Sequence, residues 1–410
     1  MACHIHALPP LLPASEYRQP VSQCAPLPNI TEDCDGRGPR LSLALRNTPE
    51  LFATDQFALE SLVYHRFIAC DDTIKGLHLV PYPVSDILVA LSEGRVNSTA
   101  AIKHYEHVKS LVRASRAWQR CGGCDHVLAL SRTNLDYPIG PFGEIIGSKA
   151  SMGGQLGFRL DDPFFAHVCK LSIEVGPNIH SIVRIKRTLA ALRGVSNLHA
   201  VPYPTFLHAR AARDVWAWQA FVARRRRAHM LVLASGWRPG VRQTLMQQCE
   251  ESTNCTLVSC GGRLNSSHVH STTIPPAACS AQALVNLYLE ASYCLHPPGD
   301  TPTRKGLFDS MVAGCIPVVL HPQSLAYPAF NLSSAHVLVK STSSISQILA
   351  VLMSGDERSR TETMRSRVIA AIPSLVYRWS MPGVTAANGS GDQWTDALTV
   401  GLQACKLARN

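Results

Sequence analysis

Thr303, Arg304 and Lys305 stand at the start of an expected helix, directly behind the turn-rich run Pro297-Pro298-Gly299-Asp300-Thr301-Pro302. A Gly314-Cys315 break ends that helix, and an apolar run from Ile316 to Leu320 follows. Loop, basic helix start and buried strand, in this order, are the layout of an anion site in a parallel α/β sheet. Free backbone N–H groups and the positive end of the helix dipole meet the anion there, and Arg304 adds a two-pronged grip. An ordinary loop and helix with a solvated arginine would share these features. Proton chemistry has three separate candidates: Asp125 and His126 at a strand start, and Glu174 at a strand end. A carboxylate or imidazole in a cleft, its pKa tuned by burial, can take a proton.

These residues need elements to hold them. Phe57, Leu62, Tyr64 and Phe67 recur at helical spacing, and Gly76 to Val80 reads as a strand stopped by Pro81-Tyr82-Pro83. Val84 to Leu91 suits a helix; His126 to Leu130, Lys170 to Val175 and the segment ending at Pro204 suit strands. A second alternation begins near Ala228: strands at Met230–Ala234, Thr256–Cys260, Tyr293–Leu295, Ile316–Leu320 and Ala335–Val339, with helices at Val241–Cys249, Ala281–Glu290, Ile345–Met353, Arg358–Ile372 and Trp394–Leu407. Alternating strands and helices predict parallel α/β layers. The expected plan is a tail or stem over 1–40, a first domain over 41–226, a second over 227–390 and a C-terminal helix over 391–410.

The chain has 410 residues, enough for two cores, and its 46% hydrophobic and 17% charged content fits a folded protein. The net charge of +10 is compatible with nucleic acid, nucleotide diphosphates or acidic polymers. The one dense basic run, Arg224 to Arg227, reads as a solvated helix end complementing the dipole. No nucleic-acid motif accompanies it, so no nucleic-acid partner is expected.

Fourteen cysteines are many for a reducing compartment. Cys121-Gly-Gly-Cys124 has no second pair at zinc spacing, so no metal site is expected. Cys249, Cys255, Cys260 and Cys279 suit local disulfides in an oxidising lumen. Asn29, Asn97, Asn254, Asn265, Asn331 and Asn388 open Asn-x-Ser/Thr sequons, six of the twelve asparagines. Ser and Thr make up about a seventh of the chain, so chance would give about one or two. Glycan acceptors in the secretory pathway account for the excess. Met1 to Pro20 lacks a signal-peptide core, and no run of about 18 apolar residues exists, so membrane association is expected only through an anchor outside this sequence.

Pro297, Gly299, Asp300, Thr301, Thr303, Arg304, Phe308, Asp309, Ser310 and Gly314-Cys315-Ile316-Pro317-Val318 together resemble the signature of the exostosin-type glycosyltransferases. Gln56 to Glu60, Tyr64-His65-Arg66 with Cys70, Leu79 to Tyr82, Gly122 to His126, Ile173-Glu174, Val201 to Thr205 and Leu233 to Pro239 are similar to the plant xyloglucan galactosyltransferase branch. The sequence departs from that branch at Cys124, at Ser235 and in the strand expected after Cys34.

The resemblance implies a GT-B type α/β fold, two Rossmann-like domains facing a cleft. It also implies inverting, metal-independent transfer of a sugar, galactose or a relative, from a UDP-sugar to a polysaccharide or glycan in the Golgi or secretory lumen. No cofactor is implied beyond the UDP-sugar as donor substrate. Donor binding falls to Arg304, Thr303, Thr301, Asp300 and Gly299, then Arg238 and Arg242, with His296 against the diphosphate or the base. Asp309 either accepts from the ribose or pairs with Lys305. Cys315 reads as a buried apolar residue. Two rivals stand beside the transferase: a non-catalytic subunit of the same fold, and a nucleotide-sugar epimerase.

Overall fold

The structure, a computed structural model, describes residues 3–6, 58–70, 74–82, 84, 87, 90, 91, 94–131, 158, 162–174, 197–207, 209, 211–260, 281–299, 301–332, 334–378 and 394–407. The strand expected after Cys34 lies outside them, as does Asp300. Among the described residues there are two five-stranded sheets, every pair parallel.

The first sheet runs β1 (His4–Ile5), β2 (His78–Leu79), β3 (His126–Leu130), β4 (Cys169–Ser172) and β5 (Leu198–Ala200), in that spatial order. β3 and β4 are buried at every position, which is why they read as unbroken apolar runs and not as alternation. Helices α1 (Ala58–Ala69), α2 (Ser98–Ala114) and α3 (Arg116–Cys121) belong to this half. The sequence reading passed over α2, although Ala101, Tyr105, Val108 and Val112 bury one stripe of it. Asn97 caps it, accepting from the Ala100 amide at 2.8 Å.

The tail expected over the first forty residues is corrected at its start. β1 pairs with β2 at the sheet edge, and a Cys3–Cys70 disulfide ties it to the end of α1. Two residues carry no periodicity to read, so only the pairing defines this strand.

Helix α4 (Ala212–Arg224) leads to the second sheet. There β6 (His229–Ser235), α5 (Val241–Glu250), β7 (Cys255–Ser259), α6 (Ala281–Glu290), β8 (Ala291–His296), α7 (Lys305–Val312), β9 (Ile316–Val319) and β10 (Val337–Leu338) follow in chain order. The spatial order is β10-β9-β8-β6-β7. The chain leaves β6 towards one edge and returns to build the other, so β6 and β8 flank the topological switch point. Helices α8 (Ile345–Met353) and α9 (Gly355–Leu375) complete this half. Among the described residues no helix is long and apolar enough to cross a membrane.

Helix α10 (Ala397–Leu407) is no independent appendage. It returns to the first sheet, where Cys405 bonds to Cys169 of β4. A Cβ on Gly401 would stand 2.6 Å from Val201 Cγ1, so only glycine admits this approach. Asp396, before α10, lies 3.5 Å from Arg66 of α1, both buried.

Of the Arg224–Arg227 run, Arg227 departs from the solvated reading. Its guanidinium donates to the carbonyls of Tyr288, Leu289, Ala291 and Ala313 at 2.7–3.2 Å, collecting the open ends of α6 and α7. Burial lowers its pKa to about 9. Gly314, at φ +73°, packs so closely that a Cβ would meet Arg227 Nη2 at 2.7 Å. Arg227→Ala is expected to lower stability by roughly 3 kcal/mol, since buried carbonyls lose a charged donor. A urea midpoint within error of wild type would contradict this role.

Candidate functional site

The loops that follow β6 and β8 converge at the switch point. Arg304, the N-cap residue of α7, donates from Nη1 to Pro297 O at 3.0 Å and to Ser235 Oγ at 3.3 Å. Arg242, in the first turn of α5, donates to Gly236 O at 3.2 Å and to Pro298 O at 3.0 Å. Each arginine therefore staples one loop to the other and fixes its own guanidinium. Arg238 is exposed on the loop after β6 and near enough to help lower the pKa of Arg304, where burial is the leading cause. Three guanidinium groups and the open amides of α7 concentrate positive charge at one crevice. Ser235, a departure noted in the sequence, is part of it.

The loop between β8 and α7 is built to lie close. Gly299 N donates to Thr301 O at 2.9 Å, and a Cβ on Gly299 would come within 3.2 Å of Arg242 Nη2. His296 ends β8, fully inside. Ser310 Oγ donates to Leu307 O, so its lone pair accepts from His296 Nε2 at 2.8 Å, which places the imidazole proton on Nε2. Burial, and then Arg304, push His296 down to about 3.

That value has a consequence for pH. A histidine neutral in the folded state but free to protonate at about 6.5 when unfolded contributes stability that is complete above pH 6.5. The contribution is lost as pH falls from there towards 3. Between pH 7 and pH 5 this ring accounts for about 2 kcal/mol. His296→Asn is expected to flatten that part of the stability-versus-pH curve, and an unchanged curve would refute the assignment.

The first sheet reaches this crevice through Glu174, two residues beyond β4. Thr301 Oγ1 donates to Glu174 Oε2 at 2.8 Å, both residues buried. Tyr327 Oη donates to Ile173 O at 2.6 Å beside it. Asp309 of α7 takes the amide of Phe206 on Oδ1 at 3.1 Å and Lys305 Nζ on Oδ2 at 2.7 Å. Both oxygens are thus occupied, and the salt bridge, one of its two expected roles, is present. Burial raises the pKa of Asp309 against the pull of Lys305. Thr303 is buried next to these groups.

Asp125 and His126 are elsewhere. They stand at the start of β3, and Leu130 at its end is level with Ser172. By strand rise that places them about 20 Å along the sheet from Glu174. Asp125 Oδ1 pairs with His126 Nδ1 at 2.7 Å, and Asp125 Oδ2 pairs with Arg120. Of the three proton-handling candidates, the structure brings only Glu174 to the crevice.

Cys315 is buried, as expected, but bonded to Cys294 of β8. The lone Cys121–Cys124 pair is a disulfide, and so is Cys249–Cys255.

Two parallel sheets with helices, and three arginines gathered at the switch point of the second, define an α/β protein of GT-B type. The chain belongs to the exostosin GT47 family, whose domain model matches residues 28–352. It is 28% identical over 375 residues to xyloglucan-specific galacturonosyltransferase 1 of Arabidopsis thaliana, covering 86% of this chain and 49% of that protein. It is 27% identical over 372 residues to xyloglucan galactosyltransferase XLT2 of the same plant, covering 85% and 63%. The chain thus spans about half to two thirds of the length of these curated relatives. Among solved structures, Anabaena Alr3699/HepE in complex with UDP-glucose superposes with a TM-score of 0.39 at 12% identity, covering 76% of each chain.

Proposed function

We propose that this chain transfers a hexosyl group, galactose or a close relative, from a UDP-sugar to a hydroxyl of a polysaccharide, with inversion and without a metal at the diphosphate. The observation that carries the reading is the crevice of Arg304, Arg242 and Arg238 at the start of α7. Its charge matches a leaving pyrophosphate, and its donors are fixed before substrate arrives, which is the condition for electrostatic stabilisation. The names of the relatives, which act on xyloglucan, support the acceptor class.

In the step we propose, the acceptor oxygen attacks the anomeric carbon from the face opposite the phosphate. The bond from that carbon to the phosphate oxygen breaks, UDP departs with the electron pair, and the acceptor proton passes to a base. Glu174 is assigned that role because, of the three proton-handling candidates, it alone meets the loop before α7, through Thr301. The five disulfides formed among the described residues, and the exposed Asn97, Asn254 and Asn331, support a secretory lumen, Golgi included, as the working compartment.

The test is calorimetric binding of a UDP-sugar panel, with and without EDTA, followed by transfer assays on xyloglucan oligosaccharides with Glu174→Gln. Binding that ignores EDTA, with turnover lost in the variant, is the expected outcome. A folded chain that binds no UDP-sugar would instead be a non-catalytic subunit, and release of a free epimer without acceptor would make it an epimerase.

A further inference from the structure

At the end of the first sheet away from the crevice, four histidines gather. His4, His78 and His126 are level with one another on adjacent strands, by the register His4↔His78↔His126. His6 follows β1 and turns to the same place, its ring 5.0 Å from that of His126 and 6.1 Å from that of His78. One ring nitrogen from each of His6, His78 and His126 lies within 4.8 Å of the other two. Three buried ring nitrogens in this group, His6 Nε2, His78 Nδ1 and His126 Nε2, have no hydrogen-bond partner among the described residues. Buried polar atoms without a partner are uncommon, and three converging ones call for a common ligand.

We propose that His6, His78 and His126 bind a divalent transition-metal ion, zinc by preference, that clamps β1 to the first sheet. Neutral imidazoles are the ligands zinc and its neighbours favour, and a fourth position is left for water or His4. Tetrahedral Zn–N bonds of 2.0–2.1 Å need nitrogens about 3.3 Å apart, so each ring moves by under ~1 Å, with some rotation about the soft Cβ–Cγ bond. The second shell is already present. His126 Nδ1 is 2.7 Å from Asp125 Oδ1, the carboxylate–histidine arrangement that leaves Nε2 free to ligate. His78 Nε2 is 3.3 Å from Arg120 and 3.8 Å from Asp125 Oδ2. On metal binding it would donate to that carboxylate, and Arg120, well exposed, would give way.

Burial lowers both His6 and His126 to about 4, so neither competes for the site as a cation at neutral pH. Trp118 stands edge-on to His126 at 5.1 Å and walls the group from solvent. His78, 15% exposed, is the least covered of the three and leaves an entry. The nearby Cys121 and Cys124 are bonded to each other and offer no thiolate.

The test is elemental analysis of the purified full chain after loading with Zn²⁺ and passage over a chelating resin, with Co²⁺ as a spectroscopic substitute. One metal per chain and the intense visible band of tetrahedral cobalt are expected. His6→Ala and His126→Ala should weaken zinc affinity at least about 100-fold, Asp125→Asn about 10- to 100-fold, and His336→Ala not at all. Retained structure in the variants is checked by circular dichroism. No retained metal in the wild-type chain would overturn the proposal. So would a weak octahedral cobalt spectrum, or undiminished metal in a folded His6→Ala protein. Zinc binding is scored without turnover, so a chain inactive as a transferase still decides the point.

Discussion

Arg304→Ala is expected to lower kcat/KM for a UDP-sugar by at least about 100-fold while the protein stays folded. Removing one preorganised donor from a charge-stabilising site costs on that scale. Arg304 is placed for such a role by two bonds, to Pro297 O and Ser235 Oγ, that hold it at the mouth of α7. Losing those two neutral acceptors costs stability only about 1 kcal/mol each, so binding and stability separate cleanly. Arg304→Lys is expected to recover little, because one ammonium cannot span both loops and still face a phosphate. Isothermal titration with UDP decides this: a variant that binds as tightly as wild type removes Arg304 from the donor site.

The second large effect falls on stability. Asp309→Ala is expected to cost about 3–5 kcal/mol, the usual result of deleting one partner of a buried ion pair. Lys305, 5% exposed, would keep a charge with its carboxylate gone, and the Phe206 amide would lose its acceptor. Asp309→Asn keeps an acceptor for Phe206 and is expected to fall between the two. Because Phe206 belongs to the first half and Asp309 to the second, loosening should appear as altered relative placement of the halves. Chemical unfolding measures the first effect, and small-angle scattering the second. A fully stable Asp309→Ala protein would refute the clamp.

Much of the frame was legible because its strands are buried on both faces. His126–Leu130, Ala281–Glu290 and Ile345–Met353 fall at their expected bounds; the first and last are apolar segments flanked by polar residues on both sides. The loop-and-helix order around Arg304 was legible for the same local reason. What could not be read is what the chain assembles from afar. Nothing near Glu174 says that Thr301 will meet it, 127 residues on. Asp125 and His126 read as plausible proton carriers because a strand start and a strand end look alike in one dimension, yet they lie at opposite ends of a sheet. The histidine cluster had one faint signal: His4, His78 and His126 each head a strand, and His6 follows two residues after His4. Register brings those three level, and the turn after β1 adds His6.

The return of α10 to the first sheet sets an order on biosynthesis. A domain made first on the ribosome ordinarily folds first. Here β4 waits for Cys405, and the pocket beside Val201 waits for Gly401, both in the last eleven-residue helix. A nascent chain stalled before residue 396 holds an open first half, with Cys169 lacking Cys405 and Arg66 lacking Asp396. The first half is therefore closed by a cysteine made 236 residues after the one it meets.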